Sequence, residues 1–374
     1  MSNLKMVRRR RSGDVWQVML MDGNERVAGL NLHIMKMRVG SVPVHMAGIG
    51  GVGTHEKHRK KGYASRVMWD AIEFMDKKDW EFSLLFGIPD FYHRFGYGVV
   101  FPDSELSVKT ENLGSAGRPM RVRAMKQSDL PAVRRLYKAL SDDRSGSAAR
   151  PSSWDGFVRA AHYTRPGKTV VSTDARGRAT GYASWNIDEH RKRFNVSEIV
   201  GHGPDAHASL STAMARQAAR LGHEEVRIFV PPDDPYGQFC SRFGCSWDVR
   251  YPRSGGAMGR IIQLDRLFQK LEPELQRRWA QGQAVFSGLL AMETDTGTVG
   301  IRLQGRKLTL TSRVTPRAAR VKLSQLRLTQ LIMGYRSIDD LALEKDVTTP
   351  IALLPVLDTI FPRKQGYMWW SDRF

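Results

Sequence analysis

The stretch HRKKGYASRVM, residues 58–68, decides how the N-terminal part of the chain folds. At its centre is the pattern Arg59-x-x-Gly62-x-Ala64, which follows a predicted strand and opens a predicted helix. The N-terminus of a helix has unpaired N–H groups and roughly half a positive charge, so it binds phosphate. Gly62 permits the positive φ that such a cradle needs, and Ala64 leaves room on the first helical turn. Taken alone, the pattern fits a solvated basic loop better, but the strand before it and the helix after it favour the phosphate-binding loop.

Two other phosphate-binding loops are excluded by the same stretch. No Gly-Lys-Ser/Thr follows the glycines, so the loop is not a Walker loop. Gly-x-Gly-x-x-Gly is missing at the strand–helix turn, so the loop is not a dinucleotide fingerprint either.

Composition narrows the class of protein. The chain has 374 residues, of which 41% are hydrophobic, and this predicts two to three globular domains. We expect no secretory signal, because no apolar stretch follows the N-terminal basic cluster, and no membrane span, because no apolar run approaches the ~20 residues that a span needs. We expect Arg8–Arg11 to be a frayed, solvated start, and we expect a reducing cytoplasm because Cys240 and Cys245 are the only cysteines. The net charge of +20 favours polyanionic partners, but the basic residues form no stripe, which disfavours nucleic acid.

One order of elements occurs twice along the chain. Two strands on either side of Asp22-Gly23-Asn24, a third strand, a helix and the strand FSLLFGI lead to the phrase FYHRFGYG. Later, two strands around the turn Asp174–Gly177, a third strand, a helix and the strand VRIFV lead to QFCSRFGC. The phrase Phe-x-x-Arg-Phe-Gly in both places, together with the matching order, predicts internal duplication. The second copy opens with a further strand and helix, MRVRAMKQSDLPAVRRLYKAL, which the first copy is predicted to lack.

The last third of the chain differs in character. It combines a helix predicted to break at Pro273, antiparallel strands with glycine turns, and later helical segments that include VKLSQLRLTQLIMGY. We therefore predict an α/β (α+β) protein with domains at 1–118, 119–262 and 263–374. The third domain has no evident catalytic cluster.

The strand, the Arg-x-x-Gly-x-Ala loop, the helix and the next strand resemble the acetyl-CoA loop of the GNAT N-acetyltransferases. FYHRFGYG resembles the phrase of their Eis-type (enhanced intracellular survival) branch. That branch has two tandem acetyltransferase folds followed by a sterol-carrier-protein-like domain, which is the plan predicted above. The resemblance covers nearly the whole chain, and it implies an enzyme that assembles as a hexamer.

The resemblance also implies a site. The pantetheine arm of acetyl-CoA would pair with Val52, Gly53 and Thr54. The pyrophosphate would lie on the residues Arg59, Lys60, Lys61, Gly62, Tyr63 and Ala64. Tyr92 would be the general acid, since a phenol with a pKa near 10 stays protonated at neutral pH. The C-terminal carboxylate of Phe374 would be the general base, provided that burial raises its pKa from roughly 3.5. No metal is expected.

Each of these assignments has a structural alternative. Tyr92 is expected to be a packed aromatic residue if it is not the acid, and the aromatic end GYMWWSDRF is expected to pack on the third domain if it does not reach the site. His55 and His58 flank the loop and are expected to be solvated. For a cationic acceptor the sequence offers only Asp90 and Asp103 as weak candidates.

The second copy is predicted to be catalytically silent. At the loop position it has GHGPDAHA, in which Pro204 and Asp205 replace the basic loop, and Cys240 stands at the position of the tyrosine. The spacing of His202, His207 and Cys240 fits no standard metal site.

Two functions follow from the sequence. The first is an acetyl-CoA-dependent N-acetyltransferase that transfers acetyl directly to a primary amine, such as an aminoglycoside, a polyamine or a lysine-like acceptor on a peptide. The second is a catalytically weak protein that binds acyl-CoA or a lipid through the sterol-carrier-like domain.

Overall fold

The computed structural model describes residues 3–117, 120–151 and 168–374. Its described residues form two compact units. Unit 1 contains the chain up to Phe101, Pro252–Gly366 and Phe374, and unit 2 contains Pro102–Tyr251 and Tyr367–Arg373. The predicted boundary between residues 118 and 119 lies outside the described residues, and the three domain ranges remain a prediction.

The strands are β1 (Leu4–Ser12), β2 (Val15–Asp22), β3 (Glu25–Val39), β4 (Val42–Thr54), β5 (Phe82–Gly87), β6 (Gly98–Val99), β7 (Asp103–Lys109), β8 (Arg121–Ala124), β9 (Lys168–Thr173), β10 (Ala179–Asp188), β11 (Arg193–Gly201), β12 (Glu225–Ile228), β13 (Ser246–Arg250), β14 (Gly256–Ile261), β15 (Gly288–Thr294), β16 (Gly297–Gln304), β17 (Lys307–Thr311) and β18 (Ala319–Lys322).

The α-helices of the described residues are α1 (Tyr63–Lys77), α2 (Thr110–Gly114), α3 (Leu130–Ser141), α4 (Pro204–Arg220), α5 (Pro235–Cys240), α6 (Leu264–Gln281), α7 (Gln325–Ile332), α8 (Ile338–Ala342) and α9 (Leu354–Ile360). Short 3₁₀ turns lie at Glu56–His58, Tyr92–Phe95, Gln127–Asp129, Ile351–Leu353 and Trp370–Asp372.

Unit 1 contains a seven-stranded sheet with the order β1-β2-β3-β4-β5-β14-β6. Neighbouring strands are antiparallel except β4 and β5, which the crossover helix α1 connects in parallel. The buried face of α1 carries Val67, Met68, Ala71 and Met75, and it packs with Leu30 and Leu32 of β3 in one apolar core. The strand–loop–helix–strand order predicted around Gly62 is therefore confirmed.

The seven-stranded sheet of unit 2 has the order β13-β7-β12-β11-β10-β9-β8. Read from the other end, it repeats the first sheet strand for strand, with β12 beside β11 as β5 is beside β4. The two sheets differ in which part of the sequence supplies one of their strands. β7, which follows the first copy in sequence, lies in the second sheet, and β14, which follows the second copy, occupies the same place in the first. The predicted duplication is thus confirmed, although each copy supplies a strand to the sheet of the other.

The remaining part of unit 1 has a four-stranded sheet, β17-β16-β15-β18, accompanied by helices α6 to α9. Helix α7 contacts the first sheet: Leu326 fills the space over Gly98. Gln330 Nε2 donates a hydrogen bond to the carbonyl of Val99 at 3.1 Å. This α+β character agrees with the prediction for the last third of the chain.

The prediction of a frayed start at Arg8–Arg11 is wrong. These arginines belong to β1, which pairs with β2 from Leu4 to Ser12. Arg8 Nη2 lies 2.6 Å from Asp70 Oδ1 of α1, and the guanidinium lies over the ring of Phe74. Pairing with β2 and the tertiary contacts of Arg8 thus order a run of like charges that would repel in isolation. The opening strand expected to be missing is therefore present, and a two-residue turn joins it directly to β2.

Two predictions in the last third also need correction. Helix α6 continues through Pro273. A proline inside a helix costs about 3 kcal/mol, and the burial of Leu267, Leu271 and Leu275 on the same helix offsets this cost. The segment predicted as helical from Val321 begins instead with the end of β18, which pairs in parallel with β15.

Candidate active site

The first component of the site is the edge of β4 beyond Ile49. β4 and β5 are paired only from Met46 to Ile49, although β4 continues to Thr54. Opposite Leu30 the register with β3 shifts, and Gly51 has a φ of 62°, which indicates a bulge. On the side facing β5, no strand of the described residues pairs with the segment 50–54. The N–H and C=O groups on this side of the segment are therefore available to an extended ligand.

The second component is the loop that leads into α1. Gly62 is the N-cap residue of the helix and has a φ of 75°, the positive value that its sequence position predicts. A Cβ added there would meet no atom within 4 Å. Lys60 also has a positive φ, of 63°. The first turn of α1 contains no acidic residue, so its orphan N–H groups face a basic surrounding. Arg59 is exposed, and its nearest carboxylate, that of Glu56, is 3.4 Å away and itself exposed. This arrangement is suited to a phosphate group.

Tyr92 lies just beyond the end of β5, in the 3₁₀ turn Tyr92–Phe95. Its residue surface is 8% exposed, and its ring packs edge-on against Phe91 with centroids 4.9 Å apart. A side chain at Gly87 would collide with the Tyr92 ring, so the glycine is what admits the tyrosine. Burial raises the pKa of Tyr92 above its ordinary value. No described residue forms a hydrogen bond with its hydroxyl group.

Phe374 is buried within unit 1 and is 7% exposed. Its ring stacks on His33 of β3 with centroids 5.5 Å apart and meets Phe86 of β5 edge-on at 5.7 Å. Gly48 of β4 leaves the space that the ring occupies, because an added Cβ would lie 2.5 Å or less from three ring carbons. The last residue of the chain is therefore seated on the strands that carry the open edge.

Tyr92 and Phe374 thus meet neighbouring residues of β5, Gly87 and Phe86. Since successive positions of a strand face opposite sides of the sheet, the two residues approach β5 from opposite faces. They do so beside the point where β4 and β5 part. Gly48 and Gly87 are not among the site residues predicted from the sequence. A glycine in a strand often marks the close approach of another group, and this is the signal that both positions carry.

Other candidates from the sequence lie away from these components or have other partners. His58 Nε2 lies 3.5 Å from Glu25, whereas His55 is exposed as expected. The carboxylate of Asp90 is paired with Arg253 at 3.2 Å, which leaves it less able to attract a cationic acceptor. Asp103 opens β7 and belongs to unit 2.

In the second copy, Pro204 and Asp205 form the first turn of α4, so a carboxylate stands where the first copy has its basic loop. Cys240 is buried, and burial raises the pKa of its thiol to about 12. Among the described residues, no group of three or more histidine, cysteine, aspartate or glutamate side chains is arranged to hold a metal ion.

Comparison with known proteins supports this description of the fold. Residues 5–100 match the family model of the GNAT acetyltransferase domain, and residues 291–369 match that of the sterol carrier protein domain. No curated protein sequence matches the chain. In the described residues, no helix is long and apolar enough to cross a membrane.

Solved structures align over 96% of the chain. A probable N-acyltransferase from Enterococcus faecalis aligns with a TM-score of 0.75 at 18% identity, over 90% of its own length. A GNAT N-acetyltransferase from Kribbella flavida gives 0.73 at 20% identity over 88% of its length. Eis1 from Mycobacterium abscessus gives 0.63 at 14% identity over 91% of its length.

Residues 5–100 therefore form a GNAT acetyltransferase domain, and the sheet with its parted β4 and β5 lies within it. With its duplicated sheet and the sterol carrier protein domain at residues 291–369, the chain shares its fold with Eis1.

Proposed function

We propose that the protein transfers the acetyl group of acetyl-CoA directly to a primary amine, with Tyr92 as general acid and the C-terminal carboxylate of Phe374 as general base. The observation that carries this proposal is the seat of Phe374 over Gly48. Chain ends usually fray, yet this one is buried on the strand whose open edge begins two residues later.

Acetyl-CoA fits the residues present. The extended pantetheine arm would pair with the free edge of β4 at Val52, Gly53 and Thr54. The pyrophosphate would lie on the amides from Arg59 to Ala64, where Gly62 leaves open space. The side chains of Arg59, Lys60 and Lys61 supply the countercharge. When bound, acetyl-CoA supplies an activated thioester.

Tyr92 is suited to be the acid that protonates the leaving thiolate. Because burial raises its pKa above the ordinary value near 10, the hydroxyl group carries its proton throughout the neutral range. Its hydroxyl group has no competing hydrogen bond from a described residue, so the proton is available to an acceptor in the site.

The carboxylate of Phe374 is suited to be the base because its ring fixes its position. The ring is held between His33 and Phe86, and only a few rotatable bonds lie between the ring and the carboxylate. A fixed base avoids the entropic cost of ordering a flexible chain end in the transition state.

The proposed step balances as follows. The amine nitrogen attacks the acetyl carbonyl carbon, the C–N bond forms and the C–S bond breaks. The proton lost by the amine passes to the carboxylate of Phe374, and the proton of Tyr92 passes to the sulfur. The products are an N-acetylated amine and free CoA. Neither Cys240 nor Cys245 lies in the first copy, so the chain offers no thiol there for a covalent intermediate.

The acceptor is proposed as a primary amine of the aminoglycoside, polyamine or lysine-like class. The direct test is to incubate the protein with acetyl-CoA and a panel of these amines and to follow the release of free thiol. Thiol release above the background with at least one class is expected. Its absence with every amine would instead favour a protein that binds acyl-CoA or a lipid through its sterol carrier protein domain.

The role of Tyr92 is tested with Tyr92→Phe. Since general acid catalysis contributes typically about 10²–10⁴-fold, we expect kcat to fall by about 10² or more while KM for acetyl-CoA changes little. Tyr251→Phe is the matched control because Tyr251 is 52% exposed and lies in unit 2. Wild-type turnover in the Tyr92 variant would remove its role as the acid.

A further inference from the structure

The C-terminal segment Tyr367–Arg373 of unit 2 is held by a buried polar cluster that the proposed chemistry does not use. Arg150 is at its centre, with a side chain that is 5% exposed. It contacts two carboxylates, those of Glu198 on β11 and Asp372 in the segment, which are 2% and 10% exposed. A buried arginine with two buried carboxylates is costly to desolvate, so its contacts have to be extensive.

The contacts of Arg150 are indeed extensive. Its Nη1 and Nη2 donate to Glu198 at 2.9 and 2.5 Å, and its Nε and Nη2 both donate to Asp372 at 2.8 Å. Nη2 also lies 2.9 Å from the hydroxyl group of Ser371. The guanidinium lies over the ring of Tyr137, 3.9 Å from its centroid, and the Tyr137 hydroxyl group donates to Asp372 at 3.3 Å. A planar guanidinium that binds two carboxylates in this way fixes the distance and the orientation of both carboxylates.

The rest of the segment is held on both sides of this cluster. The Ser371 hydroxyl group donates to Glu198, and Trp369 packs edge-on against Tyr137 with centroids 5.7 Å apart. Further along, the guanidinium of Arg373 lies 4.7 Å from the ring centroid of Trp370 and donates to the carbonyl of Met368. Only Arg373 separates Asp372 from Phe374 along the chain.

We propose that Arg150 is a positioning residue for the acetyl transfer, because its grip on Asp372 and Ser371 fixes the chain end that carries the carboxylate of Phe374. The catalytic consequence rests on the proposed role of that carboxylate, whereas the anchoring of the chain end does not. Arg150 itself touches no reacting atom in this scheme. It acts through two covalently linked residues.

The anchoring is tested with carboxypeptidase A, which releases a C-terminal phenylalanine and stops at the arginine before it. The wild-type chain is expected to lose Phe374 slowly. With Arg150→Met, release is expected to be at least roughly tenfold faster, because a broken buried ion pair favours local opening. Asp372→Asn keeps the pair of Arg150 with Glu198 and is expected to accelerate release as well. If the Arg150 variant does not fold, the release of Phe374 from the Asp372→Asn variant tests the anchoring.

Arg123→Met is the matched control. Arg123 forms a bidentate pair with Asp129 in unit 2, at 2.6 and 2.8 Å, without a contact to the C-terminal segment. Release at the wild-type rate is expected from this control. Equal release from wild type and from folded Arg150 and Asp372 variants would overturn the anchoring, and so would equally fast release from the control.

The catalytic consequence has its own readout. We expect Arg150→Met to lower kcat without raising KM for acetyl-CoA, and to have no further effect once Phe374 is deleted. An additive loss in the deleted chain would show that Arg150 merely supports folding. Faster release of Phe374 with unchanged kcat would keep the anchoring but remove the carboxylate as the base, so the two proposals fail separately.

Discussion

Gly48→Ala is the sharpest single test of the site, because it adds one methyl group against one side chain. An alanine Cβ would lie 2.5 Å or less from three carbons of the Phe374 ring, against about 3.4 Å for an ordinary close contact. β4 is held on both sides, by β3 and by β5. The ring belongs to the last residue of the chain, so the ring is the group that moves.

The size of the effect follows from this displacement. Restoring contact distance requires the ring to move by about 1 Å, and a 1 Å misplacement of a catalytic group can cost about 10²-fold in rate. The effect on stability is bounded by the burial of one phenylalanine side chain, which contributes about 1.5–3 kcal/mol. We therefore expect kcat to fall by about 10²-fold while the free energy of unfolding falls by no more than about 3 kcal/mol.

The assay is thiol release under saturating acetyl-CoA, with urea unfolding measured in parallel. Gly13→Ala is the control, since its added Cβ would meet no atom within 4 Å. The decisive comparison uses the chain without Phe374, in which Gly48→Ala should have no further effect on kcat. Full activity of Gly48→Ala in the intact chain, or an equal loss in the shortened chain, would refute the reasoning.

Three further predictions concern other parts of the molecule. Gly62→Ala forces a side chain into a φ of 75°, so we expect a loss of about 1 kcal/mol in unfolding free energy and a raised KM for acetyl-CoA in initial-rate kinetics. Because burial raises the pKa of Tyr92, kcat should show no decline from its ionisation below about pH 10, and a Tyr92-dependent decline at lower pH in the rate profile would contradict this. Burial raises the pKa of Asp234 to about 7 from 3.8, so its ionisation destabilises the fold progressively as the pH rises between these values and fully above them. Asp234→Asn, which keeps the helix cap, should therefore gain up to ~4 kcal/mol of unfolding free energy at pH 8 and almost none at pH 4, by urea unfolding.

Local patterns were sufficient to predict much of the fold. The loop around Gly62 was predicted from one glycine between a strand and a helix, and the structure gives that glycine a φ of 75°. Such a pattern is reliable because the glycine, the small residue and the apolar spacing all act within one turn of the chain. The recurring Phe-x-x-Arg-Phe-Gly phrase likewise predicted a duplication that the two sheets confirm.

The wrong predictions all depended on distant partners. Arg8 is ordered by Asp70, which is 62 residues away, and α6 passes through Pro273 because its apolar face is buried. The burial of Phe374 depends on the absence of a side chain at Gly48, more than 300 residues earlier. An aromatic chain end indicates that the end packs against other residues, but its own sequence does not show which residues these are. The cluster around Arg150 was missed for the same reason, since its two carboxylates come from distant parts of the chain.

The exchange of β7 and β14 has a consequence for synthesis on the ribosome. The first sheet needs β14, which ends at Ile261, between β5 and β6. β6 ends at Val99, so some 160 residues have to be made before its neighbour exists. At about 5–20 residues per second this takes on the order of 8–30 seconds, during which the growing chain exposes an unpaired strand edge. The N-terminal half of the enzyme is therefore translated first but completed late, and a nascent chain arrested before residue 256 has no finished acetyltransferase sheet to fold into.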